Sequence, residues 1–256
     1  MLKRFLTSML GALAGIWISV GLFFLLIIFF IIGIGISGAK QASVEIKENS
    51  VLYLDLNAQI DERKPQFDIM SQIYGRGNDV MGLNEILHTI KAAADDSRIE
   101  GIYINCDLSQ SGIATRAEIV KALRNFKKSG KWIYAYGDNY TQGDYYIACA
   151  ADSIFINPMG AVEITGLSAT TQFYKGLLDK LGVEMQIIKV GTFKSAVEPY
   201  ILTEMSEPSR LQQQQYLGNI WGYISSDIAA MRKVTVEDVN NWADSIVITE
   251  TAQSYI

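Results

Sequence analysis

From Phe5 to Ala39 the chain carries no charged side chain. The centre of that stretch, GIWISVGLFFLLIIFFIIGIGI (15–36), exceeds the roughly 20 apolar residues that cross a bilayer as a helix. The apolar core of a cleavable signal peptide is shorter, about 7–15 residues. The pattern therefore predicts a retained transmembrane helix, although the small residues of ISGAKQAS (36–43) also suit cleavage. Lys3 and Arg4 precede the helix, and the positive-inside rule keeps them cytoplasmic. The predicted division is an anchor over 1–40 and a folded region over 41–256.

After residue 40 the pattern shortens and alternates. SVLYLDLNAQI (50–60) is β-rich and apolar enough for a buried strand. QFDIMSQIYGRGNDVMG (66–82) carries Gly and Asn breakers and reads as a loop. Leu83, Ile86, Leu87 and Ile90 keep helical spacing within 82–96. IEGIYINCD (99–107) is a strand. A helix over 115–130 is expected, with Thr115 and Glu118 as a capping box and Gly130 as its stop. A strand follows at 131–138, a short helix at 141–152 and a strand at 153–158. Residues 161–169 read as strand or extended chain, 171–182 as helix and 183–190 as strand. Ser206 is placed to cap a long helix over 207–231. Thr235 opens a last short one. Strands alternating with helices of this length predict an α/β fold with a parallel sheet.

Composition narrows the chemistry. There are 27 acidic residues against 22 Lys and Arg, a formal net charge of -5, which argues against a nucleic-acid partner. Cys106 and Cys149 have no CxxC spacing and sit in apolar runs, so they read as buried thiols. His88 is the single histidine and lies in an amphipathic helical pattern. That disfavours a histidine metal site and a Ser-His-Asp triad. No metal or cofactor is expected. If the protein performs base-assisted chemistry, the base is a carboxylate or a lysine.

Loops that follow the strands of a parallel sheet are the usual place for function. NCDLSQSGIATRAE (105–118) offers Ser and Gly backbone amides, or a plain connection. GDNYTQGDYYIACA (137–150) has the strand–turn–helix form that presents a nucleophile. Its apex holds Thr141, Gln142, Gly143 and Asp144, which favours a structural turn. The third loop is VGTFKSAVEPY (190–200), with Lys194 as its one cation. A lysine with its ordinary pKa is neutral about one time in 2,500 at pH 7. Burial beside Phe193, Ala196 and Val197 favours the neutral form. A pair with Glu198, four residues on, opposes it, although Pro199 disfavours helical geometry there. The residues alone leave open a surface or paired lysine and a functional one.

NYTQGDYYIACAADSIFINPMGAVEITGLSA, followed by FYKGLLDKLGVEMQIIKVGTFKSAVEPYILTEMS, resembles the amino-terminal half of the long, two-repeat bacterial signal peptide peptidases of the SppA family. The similarity runs from about residue 50 to the end, and GTFKSAVEP after LLDKLGVE is its most specific part. The resemblance implies a ClpP/crotonase-like fold of ββα units and a serine endopeptidase with a Ser-Lys dyad. Lys194 then carries over as the general base. The family's nucleophilic serine stands in the second repeat, in a Ser-Gly-Gly-Tyr-like turn. Here the corresponding turn is Gln142-Gly143-Asp144-Tyr145, without a nucleophile. The expectation is an incomplete protein whose serine lies beyond Ile256, inactive by itself. The resemblance further implies remnant signal peptides as substrates, a homo-oligomer and a bacterial inner-membrane location with the folded region outside the cytoplasm. A crotonase-like acyl-CoA enzyme and a non-catalytic membrane scaffold are the alternatives.

Overall fold

The computed structural model describes residues 2–39, 45–64, 80–107 and 109–245. The chain divides into two compact units, Met1–Ile46 and Lys47–Ile256. The first unit is one helix, α1 (Leu2–Ala39). Its stretch Lys3–Phe30 is long and apolar enough to cross a membrane. Thr7, Ser8 and Ser19 return their hydroxyls to carbonyls three or four residues back, so these polar groups are satisfied within the helix itself.

The second unit begins with β1 (Ser50–Asp55), β2 (Gln59–Asp61), β3 (Val80–Gly82) and α2 (Leu83–Asp95). It continues with β4 (Ile99–Asn105), α3 (Ile113–Phe126), β5 (Trp132–Gly137), α4 (Gln142–Ala148) and β6 (Ser153–Ile156). Four strands form one parallel sheet in the order β1-β4-β5-β6, and β2 and β3 form a separate parallel pair. Each parallel neighbour needs a crossover, and α2, α3 and α4 supply those of the main sheet.

The pleat explains the composition of the strands. Leu54, Ile102, Ile104, Ile133, Ala135 and Ile154 are buried. Ile86, Ile90 and Ala93 of α2 and Ile119, Val120, Leu123 and Phe126 of α3 are buried as well, and the two helices pack together. Each fully buried Leu or Ile contributes about 1.5–3 kcal/mol. The alternate strand residues are aromatic. Tyr53 stands opposite Tyr103 and Tyr103 opposite Tyr134. Tyr53 stacks on Tyr103 at 5.8 Å, Trp132 on Tyr134 at 4.6 Å, and Tyr134 meets Phe155 edge-on at 5.9 Å. Gly101 makes room for this row: a Cβ there would lie 2.3 Å from the Trp132 ring.

The remaining elements are α5 (Lys175–Lys180), α6 (Glu198–Ile201), α7 (Glu207–Arg232) and α8 (Val236–Ser245). Ser206 caps α7 as expected, its hydroxyl accepting from Ser209 N at 3.3 Å. Thr235 likewise accepts from Asp238 N, at 3.1 Å. Gly130, at φ 80°, ends the helical stretch after α3.

Three expectations are corrected. The cap of α3 is Gly112, so Thr115 and Glu118 lie inside the helix and form no capping box. Residues 183–190 form no strand, because no neighbour offers a ladder among the described residues. They run extended, with Ile188 98% and Val190 83% exposed. The helix expected over 171–182 begins only at Lys175, with 171–174 outside it, and Gly182 at φ 69° follows its end as expected. The loop expected at 66–82 lies largely outside the described residues, and its end, Val80–Gly82, is β3.

Candidate functional site

The loop that carries Lys194 is set by its turn residues. Gly191 adopts φ 95°, a conformation that side chains disfavour, and reverses the chain after Val190. Lys194 follows three residues later at φ -92°, ψ 69°, leading into a single 3-10 turn, Ser195–Val197. Then α6 begins, with Pro199 in its first turn, where a missing N–H costs nothing. Lys194 and Phe193 are exposed.

Two contacts brace the loop. On one side Tyr174 N donates to Pro199 O at 2.7 Å, and the Tyr174 and Tyr200 rings stack at 5.9 Å. On the other, Glu198 is only 2% exposed and turns its carboxylate to the cap of α7. Ser206 Oγ donates to Glu198 Oε1 at 2.7 Å, and Ser206 N donates to Oε2 at 3.2 Å. Leu202 N closes the turn on Glu198 O at 2.8 Å. Glu198 and Lys194 do not pair. The intervening chain is a 3-10 turn, so the spacing that joins side chains on an α-helix does not apply. Among the described residues no carboxylate lies within 4 Å of Lys194.

The 141–144 turn is the second candidate, and it is a structural knot. Thr141 caps α4, accepting from Asp144 N at 3.3 Å, and its hydroxyl donates to Asp144 Oδ2 at 2.6 Å. Asp144 is fully buried. A buried carboxylate needs compensating donors. Ser109 Oγ donates to Oδ1, Cys106 Sγ lies 3.5 Å from the same oxygen, and Arg116 Nη2 lies at 3.8 Å. Burial, with the Asp144 carboxylate second, pushes the Cys106 thiol pKa well up. Arg116 also donates to Ser109 O at 2.7 Å and to Ser111 Oγ at 3.1 Å. Gly143 is what admits this guanidinium, since a Cβ would lie 1.6 Å from Nη1.

Gln142 is equally occupied. Its Oε1 accepts from Thr165 N at 3.1 Å and Gly166 N at 2.8 Å, and its Nε2 donates to Gly166 O at 3.2 Å. The side chain thus pairs with an extended segment as a strand would. A cavity of about 280 Å³ opens here, lined by Arg116, Thr141, Gln142, Tyr146, Glu163 and Leu167 among others. The hydroxyls at this turn, of Thr141 and Ser109, are both spent on the buried Asp144 carboxylate, which ties the turn together.

Sequence reasoning missed Asp144 as the centre of the knot and Glu198 as the anchor of the lysine loop. Asp144 is the one acid of α4 and precedes the apolar run YYIAC (145–149), and an isolated acid beside such a run was the available signal. His88 is exposed on α2, and among the described residues no cluster of His, Cys, Asp or Glu could hold a metal.

Comparison with known proteins adds a family. The model of peptidase family S49 matches residues 125–253, half of the chain and inclusive of Lys194 and Glu198. Protease 4 of Salmonella typhi is 32% identical over 235 residues, which is 88% of this chain and 38% of that protein. The chloroplastic serine protease SPPA of Arabidopsis thaliana is 29% identical over 197 residues, 77% of this chain and 28% of that protein. The chain therefore spans well under half the length of these relatives. Among solved structures, the ClpP protease catalytic domain from Plasmodium falciparum aligns over 80% of both chains, with a TM-score of 0.41 and 11% identity. At that score the likeness carries no argument about the site.

Proposed function

The chain belongs to peptidase family S49, and from that premise we propose that it supplies the general-base half of a membrane-anchored serine endopeptidase, with Lys194 as the base. The observation that carries the proposal is the unpaired amine. Lys194 stands on a loop braced from two sides, and the one acid within four residues of it is committed to Ser206. A carboxylate partner would hold a lysine charged, and among the described residues none stands beside this one. Desolvation of the amine comes from a surface packed onto the loop. Ile188, Val190 and Phe193 expose apolar side chains around it, ready to be covered together with Lys194.

The nucleophile is a serine in the part of the protein that corresponds to the unmatched length of the relatives. Gln142 occupies the corresponding turn here and is fully engaged with Thr165 and Gly166. In the reaction the neutral Lys194 amine takes the proton of the serine hydroxyl as its oxygen adds to the peptide carbonyl. The resulting ammonium then gives that proton to the departing amine, leaving an acyl-enzyme that water hydrolyses by the same exchange in reverse.

The substrates are signal peptides already released from their precursors, apolar and membrane-derived. The helix α1 fits a single-pass anchor that places the peptidase beside them. Lys3 and Arg4 hold the amino terminus in the cytoplasm, so the folded unit works on the extracytoplasmic side of a bacterial inner membrane, as a homo-oligomer. The test is degradation of a synthetic signal peptide by the full-length protein in detergent. Lys194→Ala should lose it with oligomeric state and thermal unfolding unchanged. Degradation at the wild-type rate by that variant rejects the assignment.

A further inference from the structure

The buried Glu198 is a carboxylate without a cation. Among the described residues no Lys or Arg nitrogen lies within 4 Å of it. Its two oxygens are used instead by the hydroxyl and the amide of one residue, Ser206. Ser206 Oγ in turn accepts from Ser209 N, the first-turn amide of the 26-residue helix α7. The anion thus sits at the end of that helix where unsatisfied N–H groups and the macrodipole favour negative charge.

The sequence distance matters as much as the contact. Between Lys194 and Glu198 lie only Ser195, Ala196 and Val197, wound into a 3-10 turn. Fixing Glu198 to α7 therefore fixes the backbone from which the Lys194 side chain departs. We propose that Glu198 is a positioning residue for the proposed peptidase reaction: through Ser206 it clamps the Lys194 loop to the amino terminus of α7 and sets the direction of the amine. The inference rests on the reading of Lys194 as base. Glu198 itself touches neither substrate nor nucleophile.

The clamp has a defined chemistry that variants can separate. Glu198→Gln keeps the size of the side chain but replaces one acceptor oxygen by an NH2 donor, so either the Ser206 N contact is lost or Ser206 Oγ must turn from donor to acceptor. Ser206→Ala removes the hydroxyl contact, while Ser206→Thr keeps both donors. A displacement of about 1 Å in a catalytic group costs on the order of 10²-fold in rate.

The experiment measures kcat and KM for a signal-peptide substrate with the full-length protein, together with amide hydrogen exchange over 195–206. Glu198→Gln should lower kcat about 10- to 100-fold with KM within about twofold, and should speed exchange in that segment. Ser206→Ala should do the same, the double variant should be no worse than either single one, and Ser206→Thr should behave as wild type. A Glu198→Gln kcat within twofold of wild type overturns the clamp, as does additivity of the two substitutions. Either result alongside an inactive Lys194→Ala leaves the base assignment standing. An active Lys194→Ala removes the base reading, and with it this inference. Should Glu198→Gln fail to fold, Ser206→Ala against Ser206→Thr carries the same comparison.

Discussion

Glu198 turns both carboxylate oxygens to Ser206, at 2.7 and 3.2 Å, and away from Lys194. The same serine caps α7, so one hydroxyl serves a buried acid and a helix start together. Ser206→Ala should therefore cost more than an ordinary cap, which is worth about 1 kcal/mol, because it also leaves Glu198 Oε1 without its donor. A loss of about 2–3 kcal/mol is expected by denaturant unfolding, with Ser206→Thr near wild type. An alanine variant as stable as wild type would show that the contact is not formed in solution.

Two glycines separate crowding from backbone conformation. A Cβ on Gly160 would lie 1.7 Å from the Asp138 carbonyl oxygen, and backbone cannot step aside as a side chain end can. Gly160→Ala should destabilise by about 1–3 kcal/mol and lower the melting temperature. Gly130 has open space but sits at φ 80°. Gly130→Ala should cost about 1–2 kcal/mol from its left-handed conformation alone. Chemical denaturation of both variants checks the values.

The two thiols should be silent in the folded protein. Cys106 and Cys149 are buried and unpaired. Burial pushes the Cys149 thiol up to about 12 and the Cys106 thiol well above its usual value. Since the thiolate is the reactive form, iodoacetamide at pH 8 should label neither until the chain is unfolded, when both should react. Mass spectrometry of native and denatured samples reads this directly.

Asp96 gives an acid-limb prediction. Its side-chain hydrogen bonds with Arg98, at 2.9 and 2.6 Å, hold the carboxyl at about 2 against an ordinary 3.8. A depressed acid contributes stability above its unfolded value, and that contribution fades as pH falls through the folded one. The difference in melting temperature between wild type and Asp96→Asn should therefore be flat above about pH 5 and should shrink between about pH 4 and 2. A difference that grows on acidification would contradict the pairing.

Much of this was legible in the chain because burial and turn chemistry are local. Ile102, Ile104, Ile133 and Ile154 fall in runs that announce buried strands, and Ser206, Thr235 and Gly130 mark helix ends by their own side chains or lack of one. The failures share a cause in partners that spacing does not reveal. Val183–Val190 has the composition of a strand, yet a strand exists only when a neighbour completes its hydrogen bonds. Thr115 and Glu118 match a capping box, but Gly112 starts the helix earlier. Lys194 and Glu198 have pairing distance in an α-helix, and the 3-10 turn between them annuls it. Asp144 drew Ser109 from 35 residues away in the chain and Cys106 from 38.

The central claim is that Lys194 activates a serine, and labelling by a fluorophosphonate, which phosphonylates an activated serine Oγ with loss of fluoride, tests it without any assumption about the peptide substrate. The full-length protein should label at a single serine. Lys194→Ala should slow that labelling by about 10²- to 10⁴-fold while unfolding temperature and oligomeric state stay unchanged. Labelling of the variant at a rate within about threefold of wild type, far short of the loss of a general base, would contradict the account.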